Sequence, residues 1–384
     1  MKSYTADTLF DGKNFMLEGS SIQVDNSGRI ISFNQPENCQ PIHCEGLLMP
    51  GMINAHCHLE LSHLKNKFTQ HTGLISFLKS VMSTRHEVEE SHRIMAIVDA
   101  EQRMLERGIV AVGDICNGLS TAETKAKARM HYHSFVECVG LNEDRVPEIM
   151  QHAFTLQSTF QKTHAASLVL HAPYSVSKLL MESINKESSN SIHSIHNQES
   201  AEENRLFQEA RGEFVPFIEG ITGKPYSAKL RGSSSLQAYF PLLSNPQQHL
   251  LVHNTFCAEE DIDFLHAHKQ NIFFCLCPNA NMFIENRLPL VTLFLQKDCR
   301  IVIGTDSLAS NYDLCLFSEI EVLRTNFPEV DLSVWLHAAC LQGAKALNME
   351  NHLGSFELGK KPGVVQWINW NKKDKAKVAV LEKA

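Results

Sequence analysis

The stretch Met49-Pro-Gly-Met-Ile-Asn-Ala-His56-Cys57-His58 decides how the rest of the chain is interpreted. Its apolar run over 47–55 predicts a buried strand that enters a site at its carboxyl end. Alternate residues of a strand point to the same face, so His56 and His58 can bind one metal ion while Cys57 points away. A lone His-x-His pair remains weak evidence, because the chain contains 20 histidines and such pairs also arise as surface or core residues.

Short apolar runs alternate with helical patterns along most of the chain. The runs predict strands, and the patterns between many of them predict helices at 91–107, 144–162, 177–186, 258–269 and 332–347. Eight strands alternating with helices indicate an α/β protein, with a (β/α)8 TIM-type barrel over 49–350. A doubly wound open sheet is the competing architecture, but no Gly-x-Gly-x-x-Gly follows the first strand. The predicted strands are 47–55, 109–115, 132–139, 167–170, 192–195, 250–252, 272–276 and 301–303.

Three other segments differ from this alternation. The first 48 residues contain a hairpin signal around Asn26-Ser-Gly28, and the last thirty predict a further hairpin. The glycine-rich stretch 213–235 is predicted to be a loop excursion between the fifth and sixth strands. The conformation of this loop, and of the shorter loop at 66–72, cannot be derived from the pattern.

Composition limits the classes of function. The chain has 384 residues, 43% of them hydrophobic, and a formal charge of −8, which argues against a basic nucleic-acid-binding surface. No apolar run approaches the ~18–20 residues that span a bilayer, and the start of the chain lacks the apolar core of a secretory signal. The 11 irregularly spaced cysteines fit reduced thiols, so a cytoplasmic protein is expected.

Reactive side chains cluster at the predicted strand ends, where barrel enzymes carry their catalytic groups. With His56 and His58, His196 and Asp306 offer three imidazoles and a carboxylate, which suit one Zn²⁺ or Fe²⁺ ion and leave a position for water. No lysine ends the fourth strand, so a single metal ion is favoured. A metal-bound water has its pKa lowered towards ~7.

Further polar residues surround this set. Glu199 follows His196 by three residues and could serve as a proton carrier, although a glutamate at a helix start also favours the helix dipole. His253 is a second candidate proton carrier, and His171 precedes a stiff Ala-Pro-Tyr turn. Asn281 and Arg287 could reach a substrate from the loop after the seventh strand, with a surface position as the simpler reading of Arg287. Asp114 and Glu137 end the second and third strands without an assigned role.

An ordered set of motifs resembles the metal-dependent amidohydrolase superfamily, in the branch of cytosine deaminase-like and chlorohydrolase-like aminohydrolases. The motifs run in the order of the family from residue 49 to 310, and a C-terminal segment from Leu353 resembles the return of the family into its small domain. They are the stretch around His56 and His58, His171-Ala-Pro-Tyr-Ser, His196-Asn-Gln-Glu199, Val252-His-Asn, Cys277-Pro-Asn-Ala-Asn281 and Gly304-Thr-Asp-Ser-Leu-Ala-Ser.

The resemblance implies both a fold and a set of roles. Residues 1–48 and 351–384 would form one small, discontinuous β-sandwich domain beside the barrel of 49–350. One divalent metal would be bound by His56, His58, His196 and Asp306, with Glu199, His253 and Asp306 carrying protons. His171 would contact the substrate. A homodimer is expected from the family alone.

The implied reaction is hydrolytic deamination of an amino-substituted heteroaromatic ring, such as a purine-like nucleoside, a pyrimidine or a pterin. The His58-Leu-Glu60 version of the first motif is similar to that of aminodeoxyfutalosine deaminases. Glu60 could then contact a ring N–H, or be an ordinary surface carboxylate. A chlorohydrolase or amidase that uses the same metal-activated water is the alternative, and a non-enzymatic binding protein on the same barrel is the third hypothesis.

Overall fold

The structure is a computed structural model that describes residues 1–34, 40–187, 191–227, 230–243, 248–268, 270–370 and 377–384. Strands come first along the chain, and strands and helices then alternate. The strands are β1 (Lys2–Leu9), β2 (Ser21–Val24), β3 (Ile30–Phe33), β4 (Ile42–Pro50), β5 (Met52–Cys57), β6 (Ile109–Cys116), β7 (His131–Cys138), β8 (Ala165–Leu170), β9 (Ile192–Asn197), β10 (Gln248–His253), β11 (Ile272–Leu276), β12 (Ile301–Ile303), β13 (Val364–Ile368) and β14 (Lys377–Glu382).

Most helices follow a parallel strand. The turn after β5 is a 3₁₀ segment, Leu59–Leu64, and a π-helical turn, Ala338–Gln342, lies between two short α-helices near the end of the chain. The α-helices are α1 (Leu74–Thr84), α2 (Glu90–Glu106), α3 (Ala122–Ala126), α4 (Val146–Phe160), α5 (Lys178–Glu187), α6 (Ala201–Glu209), α7 (Phe214–Thr222), α8 (Ser235–Tyr239), α9 (Glu259–Ala267), α10 (Pro278–Glu285), α11 (Val291–Gln296), α12 (Leu316–Asn326), α13 (Leu332–His337) and α14 (Gly343–Ala346). None of the described helices is both long and apolar enough to cross a bilayer.

Both chain ends contribute to one six-stranded sheet, in the order β14-β13-β4-β1-β2-β3. β4 pairs parallel to β1 and antiparallel to β13, so the N-terminal strands and the C-terminal hairpin are joined through it. The predicted discontinuous β unit is therefore supported in this shared sheet. Its description as a sandwich stays a prediction, because the described strands of the two ends form a single layer.

The eight strands β5–β12 are all parallel and form two four-stranded sheets, β5-β6-β7-β8 and β9-β10-β11-β12. Backbone hydrogen bonds join the two sheets at both edges, near the carboxyl ends of the strands. The His196 amide donates to the His171 carbonyl at 2.9 Å, and the Thr305 amide donates to the His56 carbonyl at 2.9 Å. The predicted α/β class with parallel strands and covering helices is thus confirmed.

Alternation along these strands separates two layers of core. Ile53 and Ala55 of β5 pack in a cluster enclosed by the strands, whereas Met52 and Cys57 pack in the large outer cluster with the helices. Parallel strands covered on both faces are expected to be apolar on both, and nearly every residue of β5–β12 is buried. The pairing of β5 with β6 shifts register between Asn54 and Cys57, so the alternation set by Ile53 and Ala55 does not continue to Cys57.

Three local predictions differ from the structure. The predicted strand 47–55 is divided at Gly51, whose amide donates to the Pro362 carbonyl and where a Cβ would lie 2.3 Å from a Val110 methyl. The predicted helix 332–347 is broken by its π-helical turn. The predicted loop 213–235 contains α7, with residues 228 and 229 outside the described part of the chain.

Candidate metal and catalytic site

Four side chains converge at the carboxyl ends of the parallel strands. One ligand atom from each of His56, His58, His196 and Asp306 lies within 4.8 Å of the others, and all four residues are buried. The Nε2 atom of His58 lies 3.1 Å from Nε2 of His56, 3.3 Å from Nε2 of His196 and 3.3 Å from Oδ1 of Asp306. The four residues that the sequence predicts as a ligand set are thus neighbours in space.

The donor chemistry of this group fits a divalent cation. Two imidazole nitrogens in contact can share at most one proton. The Nε2 atoms of His56, His58 and His196 face one another, so some of their lone pairs have no hydrogen-bond donor. Burial lowers the pKa of His58 to about 3, which keeps its ring neutral and able to ligate. The second ring nitrogen of His196 donates to the His171 carbonyl at 2.9 Å, an arrangement that orients metal-binding histidines.

The backbone at three strand ends has an uncommon conformation. Gln198, His253 and Asp306 have φ values of +46°, +72° and +55°, in the left-handed region that residues other than glycine rarely adopt. Such conformations persist where surrounding contacts enforce them. Here the Gly304 backbone packs directly against His56, since a Cβ on that glycine would lie 2.8 Å from the His56 Cβ. Of these residues, His253 and Asp306 line the cavity at the ligand cluster, whereas the Gln198 side chain bonds to Asn204 and Asp261.

Glu199 and His253 form a pair beside this cluster. The Nε2 atom of His253 lies 3.5 Å from Oε1 of Glu199, and both residues line the cavity at the site. Burial and the Asp306 carboxylate raise the pKa of Glu199 well above its usual value, while burial lowers the pKa of His253 to about 4. The pair is therefore favoured as a protonated carboxyl group next to a neutral imidazole.

Glu137 places an unpaired acceptor in the cavity wall. Its Oε2 accepts from the Asn117 side chain at 2.8 Å, while its buried Oε1 has no hydrogen-bond partner among the described residues. Oε1 lies 3.7 Å from Nδ1 of His196, next to His171, whose own Nδ1 bonds to the Ser175 hydroxyl at 2.7 Å. A ligand N–H or O–H would satisfy this carboxylate oxygen.

Glu60 and Asn281, which the sequence predicts as substrate contacts, do not line the cavity. Glu60 is buried, and its carboxylate bonds to the Arg85 guanidinium at 3.1 Å and to the Asn117 amide at 3.0 Å. Burial raises the pKa of Glu60 to about 7 against the opposing effect of Arg85. Asn281 lies behind His253. Their roles as substrate contacts stay predictions.

Asp114 supports the strand end that carries His58. Its Oδ1 accepts from the Leu59 amide at 2.8 Å, and its Oδ2 lies 2.5 Å from the Lys125 ammonium, with both side chains fully buried. Lys125 also donates to Ser134 at 2.8 Å and to the Cys116 sulfur at 3.0 Å. Asp114 thus holds the backbone immediately after a candidate ligand. Arg287, by contrast, stacks on the Phe256 ring and does not line the cavity.

A cavity of about 540 Å³ opens from the metal-ligand cluster. His58, His171, His196, Glu199, His253 and Asp306 lie on its wall at the site end. Most of the remaining lining is apolar and comes from the 3₁₀ segment after β5, from β7 and from helices α1, α4 and α7, with polar side chains such as Arg85 and Arg145 among it. Its residues include Leu61, Leu74, Phe77, Leu78, Val81, Phe217 and Ile221.

The sequence patterns did not predict that α1 and α7 line the cavity. Leu74, Phe77, Leu78 and Val81 recur at the spacing of one helix face, which was the available signal for α1. The role of α7 was hidden because the glycines around it suggested a loop. Asn117 and Arg85 carried no local signal, since each acts through a partner distant in sequence.

Comparison with known proteins gives one consistent family. The profile of the amidohydrolase family matches residues 47–383. An adenosine deaminase of Helicobacter pylori is 27% identical over 344 residues, covering 88% of this chain and 82% of that protein. An aminodeoxyfutalosine deaminase of a Nitratiruptor species is 25% identical over 352 residues, covering 89% and 83%. The solved Helicobacter pylori aminofutalosine deaminase in complex with methylthio-coformycin superposes with a TM-score of 0.85 at 22% identity, over 99% of this chain and 98% of that one.

Proposed function

Because this chain belongs to the amidohydrolase family, we propose that it is a metal-dependent hydrolytic deaminase of a purine-like nucleoside. The observation that carries the proposal is the Glu199–His253 pair beside four converging ligand atoms. An acid and a base at one edge of a metal site are what hydrolysis of a ring C–N bond requires. The names of the relatives, adenosine deaminase and aminodeoxyfutalosine deaminase, support the same reaction class.

We propose that His56, His58, His196 and Asp306 hold one divalent ion, Zn²⁺ or Fe²⁺, since three imidazoles and a carboxylate suit either. When bound, the ion would supply the Lewis acid that makes water a nucleophile near neutral pH. The proton transfers of the reaction are carried out by side chains of this protein.

Glu199 is the group that gives a proton to the ring nitrogen. Its raised pKa means that the buried carboxyl keeps its proton until a basic ring atom approaches. Protonation of that nitrogen lets the adjacent ring carbon accept water and become tetrahedral. His253 and Asp306 take the first proton that water loses and give it to the departing amine. The second proton of that water leaves the new hydroxyl as the amine departs and returns to Glu199, so that water and the amino ring give the oxo ring and ammonia.

The cavity supports a substrate larger than a free base. Its volume of about 540 Å³ and its apolar lining on α1 and α7 leave room for a substituent on a ring held at the ligand cluster. Adenosine and aminodeoxyfutalosine are therefore the first candidates, ahead of pyrimidines and pterins. The chlorohydrolase alternative uses the same site but would release chloride.

For the architecture, we propose that β5–β12 close into one (β/α)8 barrel over 49–350, with 1–48 and 351–384 as the small β domain. The backbone hydrogen bonds at both edges of the two parallel sheets support closure.

An ammonia-release screen tests the function. Protein loaded with Zn²⁺ or Fe²⁺ is incubated with adenosine, aminodeoxyfutalosine, other aminopurine nucleosides, a pterin and a chlorotriazine. Ammonia from the nucleosides supports the proposal; chloride alone supports the alternative; no product from any of them contradicts both.

Metal binding has its own test. Saturating Zn²⁺ at 100 times its Kd should stabilise the native state by about 2.7 kcal/mol, seen as a rise in Tm. His58→Gln, which removes the ligand nearest the other three, should abolish that rise. An equal rise in both proteins would place the bound Zn²⁺ elsewhere.

A further inference from the structure

Asn281 contacts the proton carrier His253 rather than the cavity. It lies in the first turn of α10, is buried, and its Oδ1 is 2.8 Å from Nδ1 of His253. Its Nδ2 has no hydrogen-bond partner among the described residues. Buried side-chain amides are normally hydrogen-bonded, and the bond that this amide makes is to the ring of His253. Asn281 therefore has a role beyond packing.

The helix that carries Asn281 is fixed at both ends. At its start, the Asn279 amide donates to Oε2 of Glu319 at 2.8 Å. At its end, Oε1 of Glu285 accepts from the Leu74 amide at 2.8 Å, and the Phe283 carbonyl accepts from the His71 amide at 2.6 Å. The backbone that carries the Asn281 side chain is thus held in place by contacts at both ends of α10.

The His253 ring has little freedom of its own. Its backbone has a φ of +72°, and its ring stacks on that of His196 with centroids 5.4 Å apart. A histidine with one ring nitrogen bonded to an amide oxygen carries its proton on that nitrogen. Nδ1 therefore holds the proton, and the Nε2 lone pair points to Glu199.

We propose that Asn281 is a positioning residue, which fixes the tautomer and the ring orientation of His253 so that Nε2 can accept a proton during the reaction. The inference rests on the proposed function for its catalytic consequence. It is an alternative to the prediction from the sequence that Asn281 binds the substrate.

A double-mutant cycle separates these two roles. The variants are Asn281→Leu, which removes the acceptor, Asn281→Asp, which keeps one, and each of them combined with His253→Gln. Asn279→Leu, a change of the same chemistry on the same helix and without a contact to His253, controls for disturbance of α10. The assay is ammonia release by Zn²⁺-loaded protein, with metal content and Tm measured alongside.

The positioning role predicts a specific pattern. Asn281→Leu should lower kcat about 10–100-fold, the usual cost of losing an orienting partner, with KM and metal content unchanged. Asn281→Asp should keep most of the rate, and Asn281→Leu should cost nothing further in the His253→Gln background. A rise in KM, or a loss that persists without His253, would overturn the proposal in favour of substrate contact.

A spectroscopic measurement keeps the test independent of turnover. Long-range ¹H–¹⁵N spectra of ¹⁵N-histidine-labelled, Zn²⁺-loaded protein report which nitrogen of each ring is protonated, and His253→Gln identifies the His253 signals. We expect the Nδ1–H form in the wild type and loss of that single form in Asn281→Leu, but not in Asn279→Leu. An unchanged tautomer in Asn281→Leu would overturn the proposal, even if no nucleoside is deaminated and the proposed function has failed.

Discussion

The Oε1 atom of Glu199 and the Nε2 atom of His253 lie 3.5 Å apart in the wall of the cavity. Burial acts in opposite directions on the two groups, since it raises the pKa of the carboxyl and lowers that of the imidazole. Two neighbouring groups with pKa values shifted in this way can serve as acid and base at one pH. The proposed chemistry depends on this pair.

Replacement of the acid should remove most of the activity. Glu199→Gln keeps the shape of the side chain but cannot transfer a proton, so kcat should fall about 10²–10⁴-fold. Glu202→Gln is the matched control, because Glu202 lies in the first turn of α6, three residues after Glu199, and does not line the cavity. Steady-state ammonia release measures both variants. Equal rates in wild type and Glu199→Gln would exclude Glu199 as the acid.

Glu137 should bind a donor group of the substrate. In Glu137→Gln the amide oxygen can still accept from Asn117, which turns the amide nitrogen toward the cavity and opposes a substrate O–H or N–H. An unpaired buried group costs about 1–3 kcal/mol, so kcat/KM should fall roughly 5–150-fold. The comparison of adenosine with its 2′-deoxy and 3′-deoxy analogues checks this. If the donor is a sugar hydroxyl, the loss should vanish for the analogue that lacks it; unchanged kcat/KM on every substrate would refute the contact.

The buried Asp114–Lys125 pair should be essential for stability. Asp114→Asn leaves an uncompensated ammonium in the core, and breaking such a pair costs about 3–5 kcal/mol of unfolding free energy. The double variant Asp114→Asn/Lys125→Met removes both charges and should recover part of that loss. Denaturant unfolding of both proteins measures the difference. A single variant as stable as the wild type would mean that the pair does not hold this part of the core.

His193 should make stability depend on pH. Burial and the adjacent His249 lower its pKa to about 3, and neither of its ring nitrogens has a partner among the described residues. The unfolded chain binds this proton below pH 6.5 and the folded chain does not, so stability should fall as the pH drops from 6.5 toward 3.

The variant His193→Leu isolates this effect. From pH 6.5 to 5 the wild type should lose about 1.7 kcal/mol more than the variant, because the unfolded histidine goes from half to almost fully protonated over that interval. Unfolding curves across the interval provide the measurement, and parallel curves for the two proteins would contradict the assignment.

Local periodicity explains why much of the site could be predicted. His56 and His58 share a face because a strand repeats every two residues, and His196 and Asp306 follow apolar runs that become parallel strands. Parallel strands bring their carboxyl ends to one edge, so the four ligand atoms meet without further information.

The features that could not be predicted depend on contacts between residues that are distant in the sequence. Glu60 is paired with Arg85, 25 residues away, and Asn281 with His253, 28 residues away. No local pattern carries such partners. The division of the first predicted strand at Gly51 has the same origin, because Pro362 and Val110 come from elsewhere in the chain.

Turnover in ¹⁸O-water tests whether the protein deaminates a nucleoside by adding water to its ring. Metal-loaded protein is incubated with adenosine or aminodeoxyfutalosine, and ammonia is measured together with the mass of the product. We expect one ammonia released and one ¹⁸O atom gained for each nucleoside consumed, with both formed about 10²–10⁴-fold more slowly in Glu199→Gln. Product without ¹⁸O, or both nucleosides recovered intact with fully metal-loaded protein, would contradict it.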